Sequence, residues 1–294
     1  MQSSQSTQGV PPSKGFRRHI DACHRVALPG GRLEFRIGPD RHAAEHVGWV
    51  ARSIAQAMAG FPAIEADADS VTLTDPASLP AINRALAERG LLRWRGEAFD
   101  VRALPDGPVL ARLDRGALPL FGVAAEGVHV NGLVGDMRQP EALRLWVGRR
   151  AANKTLDPGK LDHIVAGGIP AGLGPQETLI KEAAEEAAIP ADLAAQARKV
   201  AVLSYTMDRP EGLRRDRLHC FDLILPEDFM PHPTDGEVSG FELWPLARVL
   251  EAVRDSDAFK FNVNLVLIDL FLRLRLIAEP EGAELHAALH AGPA

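Results

Sequence analysis

The sequence has few of the features that mark secreted or membrane-spanning proteins. It contains only two cysteines, Cys23 and Cys220, in 294 residues. Two cysteines are too few for a disulfide framework and are compatible with a reducing compartment. The longest apolar run, residues 262–277, is interrupted by charged side chains and is shorter than the ~20 residues that span a bilayer. We therefore expect a cytoplasmic protein with free thiols and no membrane partner.

An excess of positive charge is also missing. The formal net charge is −6 at pH 7, and no basic stripe with interleaved aromatic residues is present. This composition excludes general attraction to nucleic acid, so we expect no nucleic-acid partner. Residues 1–15 are polar and lack the apolar segment of a signal peptide, which indicates a disordered leader.

The length exceeds the usual size of one domain, and a hydrophobic content of 46% is ample for buried cores. We predict a small α+β N-terminal domain over residues 16–118, with helical character at 43–59 and 80–90 and a strand region at 92–101. Nothing in this part has a catalytic pattern. Its isolated aromatic residues, which include Phe99, are more typical of a core than of a binding site.

The second domain is predicted over residues 119–280, followed by a C-terminal tail at 281–294. Short β-prone runs surround an acidic helix and predict a mixed sheet flanked by helices. The predicted strands are residues 127–134, 143–149, 200–207, 218–225 and 241–245, and further helices are expected at 246–253 and 262–277.

The most informative segment is an acidic helix within LDHIVAGGIPAGLGPQETLIKEAAEEAAIP, residues 161–190. At about 100° per residue, Glu182, Glu185 and Glu186 share one face of this helix, opposite an apolar face. Pro175 suits its first turn and Pro190 forbids its continuation. Mg²⁺ would relieve the repulsion between these carboxylates and bridge to substrate phosphates.

A glycine-rich loop precedes this helix and follows the apolar residues 164–166, which indicate a buried strand. Glycines allow tight turns and a close approach of the backbone to a ligand. The glycines of this loop are Gly167, Gly168, Gly172 and Gly174.

This stretch resembles the Nudix box, the signature of the Nudix hydrolases. Gly167 takes the glycine position of the box, and Glu182, Glu185 and Glu186 take its three metal-binding positions. Three residues differ from the usual box: Lys181 replaces an arginine, Leu173 replaces a glutamate, and Ala188 replaces a glycine. The resemblance implies an α/β/α Nudix sandwich and dependence on Mg²⁺, with Mn²⁺ as a possible substitute.

A lysine after the loop AGGIPAG is similar to one branch of the superfamily, which carries a DUF4743 domain ahead of its Nudix domain. Members of that branch are linked to thiamine diphosphate metabolism. The resemblance therefore implies hydrolysis of thiamine diphosphate or its oxidised relatives to the monophosphates. Nucleoside diphosphate derivatives such as ADP-ribose are the alternative substrates, and a ligand sensor without activity is a second class of function. Nudix proteins commonly dimerise, so a homodimer is possible.

Residues outside the acidic cluster also receive candidate roles. Arg149 and Arg150, with the nearby lysines 154 and 160, either bind the diphosphate or form a solvated basic turn. Lys181, Gly167 and Gly168 are further candidates for substrate contact. Glu237 lies in a loop where Nudix enzymes often place another carboxylate, which binds metal or activates water. We interpret the basic group Arg214, Arg215 and Arg217 as surface charge in a hairpin loop, and His163 and His219 as structural.

Overall fold

The computed structural model describes residues 15–291, so nearly all of the predicted leader lies outside the described residues. The elements of its first part are α1 (Arg17–Cys23), β1 (Leu33–Ile37), β2 (Glu45–Val50), α2 (Arg52–Met58), β3 (Ile64–Ala66), β4 (Ser70–Leu73), α3 (Leu79–Glu88), β5 (Ala98–Val101), β6 (Ala111–Asp114) and α4 (Leu118–Phe121). The elements of its second part are β7 (Ala124–Val134), β8 (Arg144–Arg150), β9 (Leu161–Asp162), β10 (Val165–Gly168), α5 (Pro175–Ala187), α6 (Ala191–Ala194), β11 (Arg198–Arg209), β12 (Gly212–Ile224), β13 (Val238–Pro245), α7 (Leu246–Asp255), α8 (Val263–Arg273) and α9 (Glu281–His290).

The first part contains a four-stranded sheet of order β2-β1-β4-β3 and a separate antiparallel pair, β5 and β6. Helices α2 and α3 contribute Ile54, Met58, Ile82 and Leu86 to one apolar cluster with residues of these strands. This N-terminal region has a core of its own, in agreement with the predicted α+β arrangement.

The predicted helix over residues 43–59 is wrong in its first half. Residues 45–50 form strand β2, and only Arg52–Met58 are helical. The segment Val47 to Val50 is rich in residues that favour strands, and β2 pairs with β1 along its length. Gly48 also permits close packing, because a Cβ there would lie 2.3 Å from the carbonyl oxygen of Phe121.

The second part is built on a seven-stranded mixed sheet of main order β11-β12-β7-β8-β13. Strands β12 and β7 are parallel, whereas β10 pairs antiparallel with β7. One apolar cluster includes residues of α5 and α6, and another includes residues of α1, α7, α8 and α9. The predicted α/β protein with helices on both sides of a mixed sheet is therefore confirmed.

Two terminal segments pack against this second part. Phe16, Ile20 and Cys23, from the segment assigned to the N-terminal domain, join the cluster around α8. Helix α9 lies in the segment assigned to the tail, and its Leu285 and Leu289 are buried in the same cluster. The domain boundaries themselves remain predictions. Within the part of the chain that the structure describes, no helix is long and apolar enough to cross a membrane.

The acidic helix α5 begins and ends as its sequence predicts. Pro175 is its first residue, and the Glu177 carboxylate accepts the backbone N–H of Gly174 at 2.8 Å. At the other end Ala188 adopts a left-handed conformation with φ of 54°. Glycine adopts this conformation most readily, which explains why the usual box has a glycine at the position that Ala188 occupies here.

Candidate metal and phosphate site

Strand β10 brings the glycine loop directly against the acidic helix. A Cβ atom built on Gly167 would lie 2.5 Å from Cδ of Glu182. Real side chains do not approach so closely, so a larger residue at this position would displace the Glu182 carboxylate. Gly167 therefore has a packing role in the structure, whatever contact it makes with a substrate.

The three helix glutamates differ in exposure. Glu186 is buried, with 6% of its surface exposed, and its Oε2 accepts the backbone N–H of Ala166 at 2.8 Å. Glu182 is largely covered, whereas half of the Glu185 side chain is exposed. Lys181 Nζ lies 3.1 Å from Glu182 Oε1 and also donates to Glu185. Lys181 thus pairs with the carboxylates of Glu182 and Glu185 and does not contact that of Glu186.

A loop before β13 completes the acidic cluster. Carboxylate oxygens of Glu186, Asp235 and Glu237 all lie within 4.8 Å of one another. The structure thus places Glu237 at the site, as its position in the sequence suggested. Asp235 was missed, although it stands two residues before Glu237 in the segment TDGEV. Its backbone position is fixed in part because its carboxylate accepts the N–H of Glu237 at 2.7 Å.

The protonation tendencies of these carboxylates differ. Burial raises the pKa of Glu186 well above its usual range, and the charges of Asp162, Glu182 and Asp235 raise it further. Burial also raises the pKa of Glu182, against the influence of Lys181. Burial opposes ionisation of Glu237, but its bond to Lys154 lowers its pKa overall. Glu237 therefore favours its ionised form, whereas Glu182 and Glu186 favour the protonated form.

The donor set fits a hard divalent cation. It consists of carboxylate oxygens, which are the ligands that Mg²⁺ prefers in proteins. Among the residues that the structure describes, no lysine or arginine forms an ion pair with Glu186 or Asp235. A bound cation would supply the missing positive charge, so the residues present fit Mg²⁺ chemically.

A small cleft adjoins the buried glutamate. The predicted substrate ligand Arg150 lies on it, but its guanidinium already donates to Asp162 Oδ2 at 2.7 Å and to the carbonyl oxygen of Leu156 at 2.8 Å. Arg149 lies next to it on β8, where successive side chains point to opposite faces. It contacts Glu242 and Gly159 and does not line the cleft. The cleft is lined by Arg150, Asp162, His163, Ala166, Glu186, Glu237 and Val238.

A second buried polar cluster, which the sequence did not reveal, shares Asp162 and His163 with this cleft. His129 Nδ1 and His163 Nδ1 are 3.0 Å apart, and Asp162 is within reach of both rings. Asp162 is buried between Arg150 and Lys260, whose Nζ lies 3.6 Å from Oδ2. His163 is buried, and its partner His129 is 34 residues away and was not predictable from local spacing.

The basic group near residue 214 differs from the prediction. Arg214, Arg215 and Arg217 lie on strand β12 rather than in a hairpin loop. Arg214 is mostly covered and bonds to Asp216 at 2.8 Å, while Arg217 bonds to Glu126 at 3.0 Å. Their interpretation as surface charge is therefore wrong, because acidic partners on the same sheet bind two of these side chains.

Comparison with known proteins agrees with the geometry of this site. Residues 128–263 match the model of the NUDIX domain family. In Arabidopsis thaliana, "Nudix hydrolase 20, chloroplastic" is 41% identical over 191 residues, which make up 65% of this chain and 50% of the relative. "Nudix hydrolase 24, chloroplastic" from the same plant is 41% identical over 195 residues, or 66% of this chain and 53% of the relative. The chain thus spans about half the length of these curated relatives.

Solved structures show more distant similarity. A Deinococcus radiodurans protein is 21% identical, with a TM-score of 0.44 over 58% of this chain and 97% of its own. The Nudix domain of Shewanella oneidensis NrtR, solved with ADP-ribose, is 17% identical, with a TM-score of 0.41 over 53% of this chain and 91% of its own.

Proposed function

From the Nudix domain that this chain contains and from its Nudix hydrolase homologues, we propose that the protein is a Mg²⁺-dependent pyrophosphohydrolase that cleaves a diphosphate linkage. The observation that carries this proposal is the acidic cluster around Glu186. The cluster combines the buried carboxylate of Glu186 with those of Asp235 and Glu237 from the loop before β13, and Gly167 packs against the neighbouring helix carboxylate of Glu182. An inactive ligand sensor is the less favoured reading, because all three helix glutamates of the box are present.

Each residue of the cluster has a defined task in this proposal. Glu182, Glu185 and Glu186 would hold Mg²⁺, and Mn²⁺ is a possible substitute. The bound ion would neutralise phosphoryl oxygens and lower the pKa of the attacking water. The Ala166 N–H orients Glu186, and Lys181 bridges the outer pair of carboxylates. Gly168 and Lys181 stay candidates for direct substrate contact.

We assign the proton acceptor to Glu237, with a member of the helix cluster as the alternative. A general base must be ionised and close to the water it activates. Glu237 meets the first condition because its pKa is lowered overall by Lys154, and its carboxylate lies beside that of Glu186. Glu237→Gln should lower kcat by about 10²–10⁴-fold, while the affinity for Mg²⁺ falls less than it does in Glu186→Gln. An unchanged kcat would exclude Glu237 from this role.

For the substrate we propose thiamine diphosphate or its oxidised analogues, with the monophosphate and phosphate as products. The similarity of the segment AGGIPAG and the lysine at position 181 to the thiamine-linked branch supports this choice. The DUF4743 assignment of the N-terminal region, a cytoplasmic location and a homodimer belong to the same proposal. The two free, buried cysteines are consistent with a reducing compartment.

The test is Mg²⁺-dependent hydrolysis of a panel of diphosphates, with substrates and products separated by chromatography, because ADP-ribose would yield two monophosphates and no free phosphate. The panel holds thiamine diphosphate, its oxo and oxy forms, ADP-ribose and nucleoside triphosphates. We expect hydrolysis of the thiamine compounds. The rate of this hydrolysis should decrease by about 10²–10³-fold in Glu186→Gln. Asp192→Asn, which removes an exposed carboxylate on the neighbouring helix α6, is the matched control and should keep wild-type activity.

The outcomes separate the alternatives. Preference for ADP-ribose would keep the proposed site and replace the proposed substrate. Activity that survives in Glu186→Gln would contradict the assignment of the site. The absence of Mg²⁺-dependent hydrolysis of every compound would favour a ligand sensor.

A further inference from the structure

The N-terminal region forms one side of the proposed site. The backbone N–H of Ala171 donates to the carbonyl oxygen of Ala98 at 2.8 Å, and that of Gly172 donates to Asp100 Oδ2 at 3.2 Å. These bonds join strand β5 to the glycine loop. At a third junction, Arg93 Nη1 donates to Thr155 Oγ1 at 2.8 Å. The β5–β6 pair therefore has a fixed position beside the loop that carries Gly167 and Gly168.

A buried aspartate sets the positions of two arginines at this junction. Asp114 accepts the backbone N–H groups of Arg95, Gly96 and Gly116, at 2.9, 2.7 and 2.8 Å. Its side chain thereby ties the segment that holds Arg95 to the turn that holds Arg115. Three bonds to one buried carboxylate make this local arrangement rigid.

Arg115 reaches the glycine loop itself. A Cβ atom built on Gly168 would lie 2.7 Å from Cζ of Phe99 and 3.8 Å from Cζ of Arg115. The guanidinium also lies 5.9 Å from the centre of the Phe99 ring and bonds to Glu97 at 2.9 Å. Gly168 follows Gly167 on β10, so Arg115 and Glu182 lie against neighbouring residues of this strand, on its opposite faces.

The charges on the two sides of this junction influence one another. The positive charge of Arg115 helps to lower the pKa of Glu237, and the negative charge of Glu97 helps to raise that of Glu182. Arg95 is exposed, and its guanidinium has no hydrogen-bond or ion-pair partner among residues 15–291. Partial burial lowers the pKa of Arg95, and the nearby charges of Arg93 and Arg115 lower it further, against the influence of Asp114 and Glu237. A bound anion would relieve this crowding of like charges.

We propose that Arg95 and Arg115 bind the diphosphate group of the substrate, so that the N-terminal region supplies part of the binding site. The proposal rests on the proposed function for the location of the diphosphate beside the carboxylates. Guanidinium groups match phosphate oxygens with two parallel hydrogen bonds and remain charged at any physiological pH. Arg115 keeps Glu97 as its partner until the anion arrives, whereas Arg95 is unpaired and available.

The test measures binding rather than turnover. The probe is methylenediphosphonate, a diphosphate analogue that resists hydrolysis, titrated calorimetrically in the presence of Mg²⁺ into the full chain. We expect Arg95→Ala and Arg115→Ala each to weaken binding by about tenfold or more. Arg112→Ala is the matched control, since Arg112 is an exposed arginine of β6 that pairs with Asp100 as Arg115 pairs with Glu97. It should bind the probe within about twofold of the wild type.

Further variants separate direct contact from an indirect effect. Loss of Arg115 leaves Glu97 unpaired near Glu182, and this free charge alone could repel the probe. The double variant Glu97→Gln/Arg115→Ala removes that charge and should still bind weakly. Arg115→Lys keeps the charge without the planar fork and should bind with intermediate affinity.

Wild-type affinity in both alanine variants, recovery of affinity in the double variant, or no binding of the probe by the wild type would each overturn the proposal. A chain that binds the probe through these arginines but hydrolyses no diphosphate would instead contradict the proposed function.

Discussion

Two buried carboxylates, Asp162 and Glu186, line the same cleft in this molecule, and their charges are balanced in opposite ways. Asp162 is buried between two cations of the protein itself, Arg150 and Lys260. Glu186 is equally buried but receives only the Ala166 N–H from the residues described. The effect on protonation is opposite, because the pKa of Asp162 falls to about 2 despite its burial and that of Glu186 rises well above its usual range.

This difference distinguishes a structural carboxylate from one reserved for a ligand. The fold supplies the positive charge that Asp162 needs, so this residue contributes to stability without any partner from solution. Among the described residues, no cation forms an ion pair with Glu186. The metal-free protein is therefore expected to be less stable than it would be with a neutral residue at this position. Substitutions of Asp162 and of Glu186 are therefore expected to change the free energy of unfolding in opposite directions.

The largest effect is expected at Asp162. Asp162→Asn leaves Arg150 and Lys260 without their shared carboxylate, and breaking a buried ion pair costs about 3–5 kcal/mol. Urea unfolding should show this loss of stability. Asp21→Asn, which breaks the exposed pair with Arg17, is the control and should change the stability by about 0.5 kcal/mol or less. Equal losses in both variants would mean that burial is not what makes Asp162 important.

The histidines beside Asp162 should make stability depend on pH. Burial lowers the pKa of His163 from its ordinary value of 6.5 to about 4. The neutral ring of His163 contributes fully to the free energy of unfolding above pH 6.5. This contribution is lost as the pH falls through about 4, because the unfolded chain binds the proton more readily than the folded chain. The loss amounts to about 3 kcal/mol at the acidic end of this range.

Glu186 changes the stability with pH in the opposite direction. The difference in stability between wild type and His163→Asn isolates the contribution of His163 from that of Glu186. It should become smaller as the pH falls from 7 to 4 in urea titrations. A difference that stays constant over this range would show that His163 does not titrate with a depressed pKa.

The smallest effect, of opposite sign, is expected at Glu186. Glu186→Gln keeps an acceptor for the Ala166 N–H and removes the buried charge, so the metal-free protein should gain about 0.5–2 kcal/mol of stability. Thermal unfolding in the presence of a chelator measures this gain. A loss of stability in the variant would mean that Glu186 is compensated by groups other than a cation.

The sequence predicted the elements that depend on local chemistry. Helix α5 lies where Pro175 and Pro190 bound it, and its three glutamates share a face because helical periodicity requires it. Gly167, which the resemblance placed in the box, packs against Glu182, and the strands of the central sheet follow their β-prone runs. The start of the predicted helix at residue 43 was wrong, because pairing with β1 outweighs the helical pattern of residues 45–50.

Features that depend on contacts across the chain were not predictable in this way. His129 meets Asp162 only because β7 and the strands after β8 share one sheet. Arg150 was a candidate ligand of the diphosphate because of its charge, but in the structure its guanidinium donates to the buried carboxylate of Asp162. The approach of Arg95 and Arg115 to the glycine loop depends on how the N-terminal region packs on the sheet, for which no local pattern exists.

The most direct test of the account is the binding of Mn²⁺, followed by electron paramagnetic resonance, to wild type, Glu186→Gln and Asp192→Asn. We expect saturable binding by the wild type and by Asp192→Asn, with an affinity at least about tenfold lower in Glu186→Gln. Equal affinity in all three proteins would contradict the claim that the uncompensated carboxylates around Glu186 are completed by a divalent cation.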